Sequence, residues 1–150
     1  MSLYEKITDD LKEAMKAKDL LRLSCIRMLK TGIKHKQAER GEILRDEEIQ
    51  SLISSLIRKG REAAEEFRKG GREDLAIKEE GEIAILYGYL PDQIKPDEIE
   101  RVLKEVISEL SADGLKDLGK VMKAAINRIA GRAQGKEVNE IARRLLSYPG

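Results

Sequence analysis

The stretch 49-IQSLISSLIRKGREAAEEFRKGG-71 decides the fold class. Ile49, Leu52, Ile53, Leu56, Ala63, Ala64 and Phe67 recur at helical intervals and keep one apolar face through the run. A strand would alternate apolar and polar residues, and this segment does not. From Ile49 to Lys69 it predicts about 30 Å of helix at about 1.5 Å per residue. Gly60 interrupts the run at a propensity cost of about 1 kcal/mol, so it is read as a point of close packing. Gly70-Gly71 ends the helix.

The same period extends to both sides. Upstream, Ser2 with Glu5 makes a capping box for a first helix carrying Leu3, Ile7, Leu11, Ala14 and Met15. A second helix, from about Leu20 to Ala38, places Leu21, Cys25, Ile26, Leu29 and Ile33 on one side, and Gly41 breaks the chain after it. Downstream, a fourth helix runs from about Glu73 to Tyr89 with an acidic first turn. In 90-LPDQIKP-96 two prolines stand close together, which marks a hinge near residues 91–96. Pro96 is placed as the first residue of a fifth helix. Gly114 and the Gly131–Gly135 segment separate a sixth and a seventh. The expected fold is all-α with about seven helices: a four-helix N-terminal domain over residues 1–92 and a three-helix C-terminal domain over residues 96–150.

Composition narrows the function. Charged residues are 38% of the chain, yet the net charge is only +1, so any electrostatic patch has to be local. Residues 96–113 hold two basic and six acidic side chains, whereas residues 114–150 hold eight basic and three acidic ones. The C-terminal half is therefore polarised. In the sixth helix Lys116, Lys120, Lys123 and Asn127 share one face at about 100° per residue. Leu115, Leu118, Val121, Met122, Ala125, Ile126 and Ile129 are assigned to the opposite, buried face. Arg128 ends that helix. Arg132 and Lys136 flank the start of the seventh, where free N–H groups and the helix dipole favour an anion. Gly131 and Gly135 are read as letting a phosphate approach the backbone. From Leu20 to Ala38 the second helix holds five Lys/Arg and no acid. Its basic face is read chiefly as a solvated surface, or one paired with Glu79, Glu80 or Glu82.

Catalytic chemistry has little to build on. The segment 131-GRAQGK-136 is one residue short of a phosphate-binding P-loop, Glu137 stands where such a loop has Ser or Thr, and a helix precedes it. His35 is the only histidine and Cys25 the only cysteine, which is too few for a structural zinc site or an internal disulfide. Glu65, Glu66, Glu79, Glu80 and Glu82 lack the Glu-x-x-His pattern of a carboxylate metal centre. No metal, cofactor or catalytic residue is expected. No apolar run approaches a membrane span, and the charged N-terminus excludes a secretory signal peptide; a soluble, cytoplasmic protein is expected. One Phe, four Tyr and no Trp leave few platforms for stacking bases. Phosphate and shape contacts to a folded, double-stranded nucleic acid suit this side-chain set better.

The segments 22-RLSCIRMLK-30, 65-EEFRKGGREDLAIKE-79, 89-YLPDQI-94, 119-GKVMKA-124 and 131-GRAQGKEVNEIARRLL-146 together resemble the YqeY family. These are small bacterial proteins related to the tail domain of the B subunit of glutamyl/aspartyl-tRNA amidotransferase. The resemblance implies an all-helical fold of four plus three helices and tRNA as a partner. It implies a contact surface at Lys120, Lys123, Arg132 and Lys136, with Gly131 and Gly135 permitting approach; Lys116 and Arg128 are added to this candidate surface from the charge pattern. The family pattern has Asp where this chain has Gln134, which caps a helix poorly. The resemblance also carries a label of carbon–nitrogen ligase with glutamine as amide donor. The catalytic residues of that enzyme lie in other domains and subunits, so a non-catalytic tRNA-binding accessory protein is expected. The alternatives are a module docking on an aminoacyl-tRNA synthetase or an amidotransferase, and, more weakly, an amidotransferase-like enzyme.

Overall fold

The computed structural model describes residues 1–147. Tyr148, Pro149 and Gly150, which the expected C-terminal domain includes, lie outside the described residues. Seven α-helices, one short 3-10 turn and no strand are present among them, so the fold is all-α. The chain forms two compact units that meet in sequence between Leu90 and Pro91.

The first unit contains α1 (Leu3–Ala17), α2 (Leu20–Arg40), α3 (Asp46–Lys69) and α4 (Glu73–Tyr87). Ser2 caps α1 by accepting the Glu5 N–H at 3.1 Å. Gly41 closes α2 in the left-handed region at φ 70°. The turn between α3 and α4 is a Schellman closure: Gly71 sits at φ 75°, the Arg72 N–H reaches the Phe67 carbonyl at 2.8 Å and the Gly71 N–H the Arg68 carbonyl at 3.2 Å. That closure folds α4 back along α3. A Cβ at Gly60 would stand 3.1 Å from Ile83 Cγ1, so the glycine marks a close helix contact. The core gathers Ile7, Cys25, Ile26, Leu29, Ile33, Ile49, Ile53, Ile57, Ile83 and Leu86. Ile57, left out of the periodic face read from the sequence, is fully buried, whereas Leu52 and Leu56 are only half-buried. Tyr89 follows α4, and its hydroxyl donates to Asp10 Oδ2 at 2.6 Å, tying the end of the unit to α1.

The second unit contains α5 (Pro96–Leu110), the 3-10 turn Leu115–Asp117, α6 (Leu118–Ile129) and α7 (Gly135–Ser147). Its core is Ile99, Leu103 and Val106 of α5, Val121, Ala125 and Ile129 of α6, Ala133 of the loop, and Val138, Ala142 and Leu146 of α7. Spacings of three and four residues bring each set onto one face of its helix. Residues 91–94, read from their prolines as a hinge, are built into this unit instead. The Ile94 N–H donates to the Arg132 carbonyl at 2.8 Å, and Gln93 Nε2 donates to the carbonyls of Pro91 at 2.8 Å and Gly131 at 3.0 Å. Ile94 also packs on the core of the unit. Backbone groups that a free linker would give to water are satisfied here by a loop nearly 40 residues away.

Candidate nucleic-acid interface

α6 presents Lys120, Lys123 and Asn127 to solvent because Val121, Ala125 and Ile129 turn the opposite face into the core. Lys116 is exposed but does not belong to that helix. It lies in the 3-10 turn, which follows Gly114 at φ 98° and is braced by Asp117 Oδ2 accepting the Asp113 N–H at 2.8 Å. The change of pitch breaks the helical phase ahead of Leu118. This explains why Leu115, placed in the buried face from the sequence, is 48% exposed. Ile126, assigned to the same face, is 39% exposed at its edge.

The basic side chains of this unit fall into two groups. Arg128 pairs with Glu109 and, at 3.9 Å, with Glu105 of α5. The hydrogen bond it donates to the Glu109 carboxylate raises its pKa above the usual arginine value. Arg144 pairs with Glu100 at 3.6 Å, a carboxylate shared with Lys104, and Arg101 lies near Glu98 and Glu105. The acidic face of α5 is thus matched by cations of its own unit. Among the described residues, Lys95, Lys116, Lys120, Lys123, Arg132, Lys136 and Arg143 have no carboxylate within 4 Å, and Arg143 donates instead to Asn139 Oδ1 at 2.9 Å. Arg128, grouped with them from the sequence, belongs to the matched set.

The entry to α7 is a built turn. Ala130 at φ 49° and Gly131 at φ 81° take consecutive left-handed conformations, and Ala133 and Gln134 are buried. Gly131 therefore answers a backbone requirement, and its carbonyl accepts from Gln93. Arg132 Nε donates to the Asp92 carbonyl at 3.3 Å, leaving the rest of its guanidinium exposed. Gly135 differs. It is the first residue of α7, has no positive φ, and a Cβ there would meet nothing within 4 Å. Gly119, the second residue of α6, likewise has no positive φ and open space at its Cβ position. Each is followed by a lysine, Lys120 or Lys136, that has no carboxylate within 4 Å among the described residues. Gly119 escaped the sequence reading, although the repeated Gly-Lys pair at two helix starts was visible there. Gln93 escaped it too, since nothing local ties it to Gly131. Gln134 stands immediately before α7, only 9% exposed, and its Nε2 has no partner among the described residues. An unpaired buried amide costs about 1–3 kcal/mol.

Elsewhere the reactive side chains are occupied. Cys25 is 1% exposed, its thiol donates to the Glu82 carbonyl at 3.6 Å, and burial with Glu82 and Glu79 nearby pushes its pKa up to about 12. A thiolate nucleophile is not available there near neutral pH. Arg68 bridges Glu73 at 2.7 Å and Glu80 at 2.8 Å, which draws Glu80 out of the imagined carboxylate cluster. Among the described residues no group of three His, Cys, Asp or Glu is placed to hold a metal, and no helix is long and apolar enough to cross a membrane.

A family model described as Yqey-like protein matches residues 4–146. Curated relatives carry the name "Altered inheritance of mitochondria protein 41, mitochondrial". The protein of Pyrenophora tritici-repentis is 31% identical over 134 residues, covering 88% of this chain and 74% of the relative. That of Lachancea thermotolerans is 45% identical over 82 residues, covering 54% and 44% respectively. That of Saccharomyces cerevisiae is 32% identical over 130 residues, covering 86% and 69%. The matched stretch thus spans from under half to about three quarters of these relatives' lengths. These names correct two expectations. The relatives are fungal proteins named as mitochondrial, which overturns the reading of the chain as bacterial and cytoplasmic. The bacterial reading came from the family resemblance; the cytoplasmic one rested on a missing secretory signal and membrane span, and neither of these distinguishes one interior compartment from another. With the family model matched along nearly its whole length, the chain belongs to the YqeY-like protein family.

Proposed function

We propose that this chain is a non-catalytic accessory protein that binds tRNA through its C-terminal unit. The observation that carries the reading is the division of charge in that unit. Arg128 and Arg144 are spent on α5, while Lys116, Lys120, Lys123, Arg132 and Lys136 are exposed and have no carboxylate within 4 Å among the described residues. Unpaired cations around α6 and the start of α7 suit the phosphodiester backbone, and two bare glycines beside helix starts suit close approach of a phosphate. tRNA is chosen among folded RNAs because of the resemblance to the amidotransferase tail domain. With Cys25 buried and protonated, the side chains contribute binding and not bond-making.

The test is fluorescence-anisotropy binding of total tRNA at about 50 and 200 mM salt. Five phosphate contacts would give a slope of log K against log salt of about −4. An Arg132→Glu/Lys136→Glu variant and a Lys120→Glu/Lys123→Glu variant should each lose most of that affinity. Equal binding by both variants and the parent chain would end the reading. A second reading, a module docking on a synthetase or amidotransferase, is favoured by one observation. Leu110 and Leu115, on either side of the turn into α6, are 45% and 48% exposed. Stoichiometric recovery of such a protein after nuclease treatment would support it. Glutamine-dependent amide transfer by the purified chain would overturn the non-catalytic reading.

A further inference from the structure

Among the helices of the first unit, α2 stands apart in its charge. The exposed faces of α3 and α5 mix signs and pair them: Lys69 lies near Glu65 and Glu66 on α3, and Lys104 near Glu100 on α5. Between its capping Asp19 and Glu39, α2 contains no acid at all. Two of the five cations between those two acids have partners inside the unit, as does Arg40 at the helix end, which pairs with Glu42 and Glu48. Arg22 lies 3.6 Å from Asp10 and 3.8 Å from Glu13, and Lys30 donates to Thr8 Oγ1 at 3.1 Å while lying over the Tyr4 ring. The carboxylates expected to neutralise the rest do not do so. Glu80 is taken by Arg68, and no ion pair joins Glu79 or Glu82 to α2 among the described residues. Arg27, Lys34 and Lys36 are exposed, with no carboxylate within 4 Å among the described residues.

The geometry organises these cations. Cys25, Ile26, Leu29 and Ile33 bury one face of α2. At about 100° per residue, Ser24, Arg27, Thr31 and Lys34 form the stripe directly opposite, about 15 Å long from end to end. All four are exposed. Hydroxyl, guanidinium, hydroxyl and ammonium alternate along it, and each is a hydrogen-bond donor of the kind that contacts phosphate oxygens. A protein-docking face would put an apolar patch at its centre. Here the exposed apolar residues are marginal: Leu20, 75% exposed, is the first residue of the helix, and Met28, 41% exposed, lies on the flank.

We infer that the Ser24–Arg27–Thr31–Lys34 stripe of α2 is a second phosphate-backbone-binding surface, separate from that of the C-terminal unit, which takes the backbone of a folded RNA. The choice of RNA rests on the function proposed above; the surface itself does not. The stripe positions contacts without reading bases, since it offers no aromatic and no amide to a base edge.

The experiment uses the full chain and a fluorescently labelled RNA duplex of about 20 base pairs, titrated from about 50 to 300 mM salt. An Arg27→Gln/Lys34→Gln variant is expected to lose roughly tenfold in affinity at about 100 mM salt. Its slope of log K against log salt should flatten by about 2, one for each lost phosphate contact. Ser24→Ala/Thr31→Ala should lose a few-fold with the slope unchanged, because hydroxyls release no counterions. All four positions are exposed, so melting curves of both variants should overlay the parent's. A Lys120→Gln/Lys123→Gln/Lys136→Gln variant is run beside them. If it alone loses affinity, the α2 inference is overturned and the proposed function stands. If the α2 variant alone loses affinity, the inference stands and the C-terminal assignment falls. Parent-like binding by both variants, or no binding by the parent chain, overturns both. Displacement of the duplex by poly-glutamate as effectively per charge as by unlabelled RNA would make the stripe a site for acidic protein, and would also overturn the inference.

Discussion

Replacing Gly135 with alanine separates what the fold requires from what binding requires. The residue opens α7 without a positive φ, and a Cβ there would meet nothing within 4 Å. No clash and no backbone strain oppose the added methyl, so only the entropy and propensity terms remain, worth about 0.4–1 kcal/mol in favour of alanine. For a unit of this size that corresponds to a rise in Tm of roughly 2–8 °C. The same methyl would occupy the space in which a phosphate reaches the first N–H groups of α7, so tRNA affinity should fall about tenfold while stability rises. Thermal unfolding followed by circular dichroism and anisotropy titration against tRNA give the two numbers on one sample. A stabilised variant that binds tRNA as tightly as the parent would show that Gly135 is not a contact, and would remove the main reason for placing a phosphate at this helix start. A lower Tm would refute the structural half of the reasoning, because it requires a contact or strain that the geometry lacks.

Three further outcomes are expected. Gly60→Ala should destabilise the first unit by about 1 kcal/mol in urea titration despite better helix propensity, because the new Cβ would lie 3.1 and 3.3 Å from Cγ1 and Cδ1 of the buried Ile83. Ala130→Gly should stabilise by up to about 1 kcal/mol, since Ala130 closes α6 at φ 49°, where glycine carries no Cβ penalty; an unchanged unfolding midpoint would count against this. Glu82 is 9% exposed, and burial followed by the charge of Glu79 raises its pKa. A raised folded pKa contributes stability below the unfolded value and loses it as pH climbs through the folded value. Glu82→Gln should therefore be more stable than the parent at pH 7, with the difference shrinking as pH falls toward about 4 in paired denaturation curves.

The contrast between Gly131 and Gly135 shows where local reasoning stops. Both read as hinge glycines permitting an anion to approach. Only the dihedral angles reveal that Gly131 is needed by the turn, at φ 81°, while Gly135 is not needed by the fold. The lysines behave similarly. Charge and helical phase place Lys120 and Lys123 on an outer face, but the phase fails at Lys116, where a 3-10 turn interrupts it.

What the sequence determined by itself is everything whose cause lies within a turn or two of chain. The all-α class follows from the 3.6-residue recurrence of Ile49, Ile53 and Ala64. Ser2, Gly41, Gly71 and Pro96 mark helix ends because caps and left-handed closures bond residues only a few positions apart. Tertiary structure alone decided which charges are free. Arg128 is removed from the candidate surface by Glu105 and Glu109, 19 or more positions earlier in the chain, and residues 91–94 are removed from the hinge by Gly131 and Arg132. Coulomb and hydrogen-bond energies depend on distance in space, and a sequence lists charges without those distances.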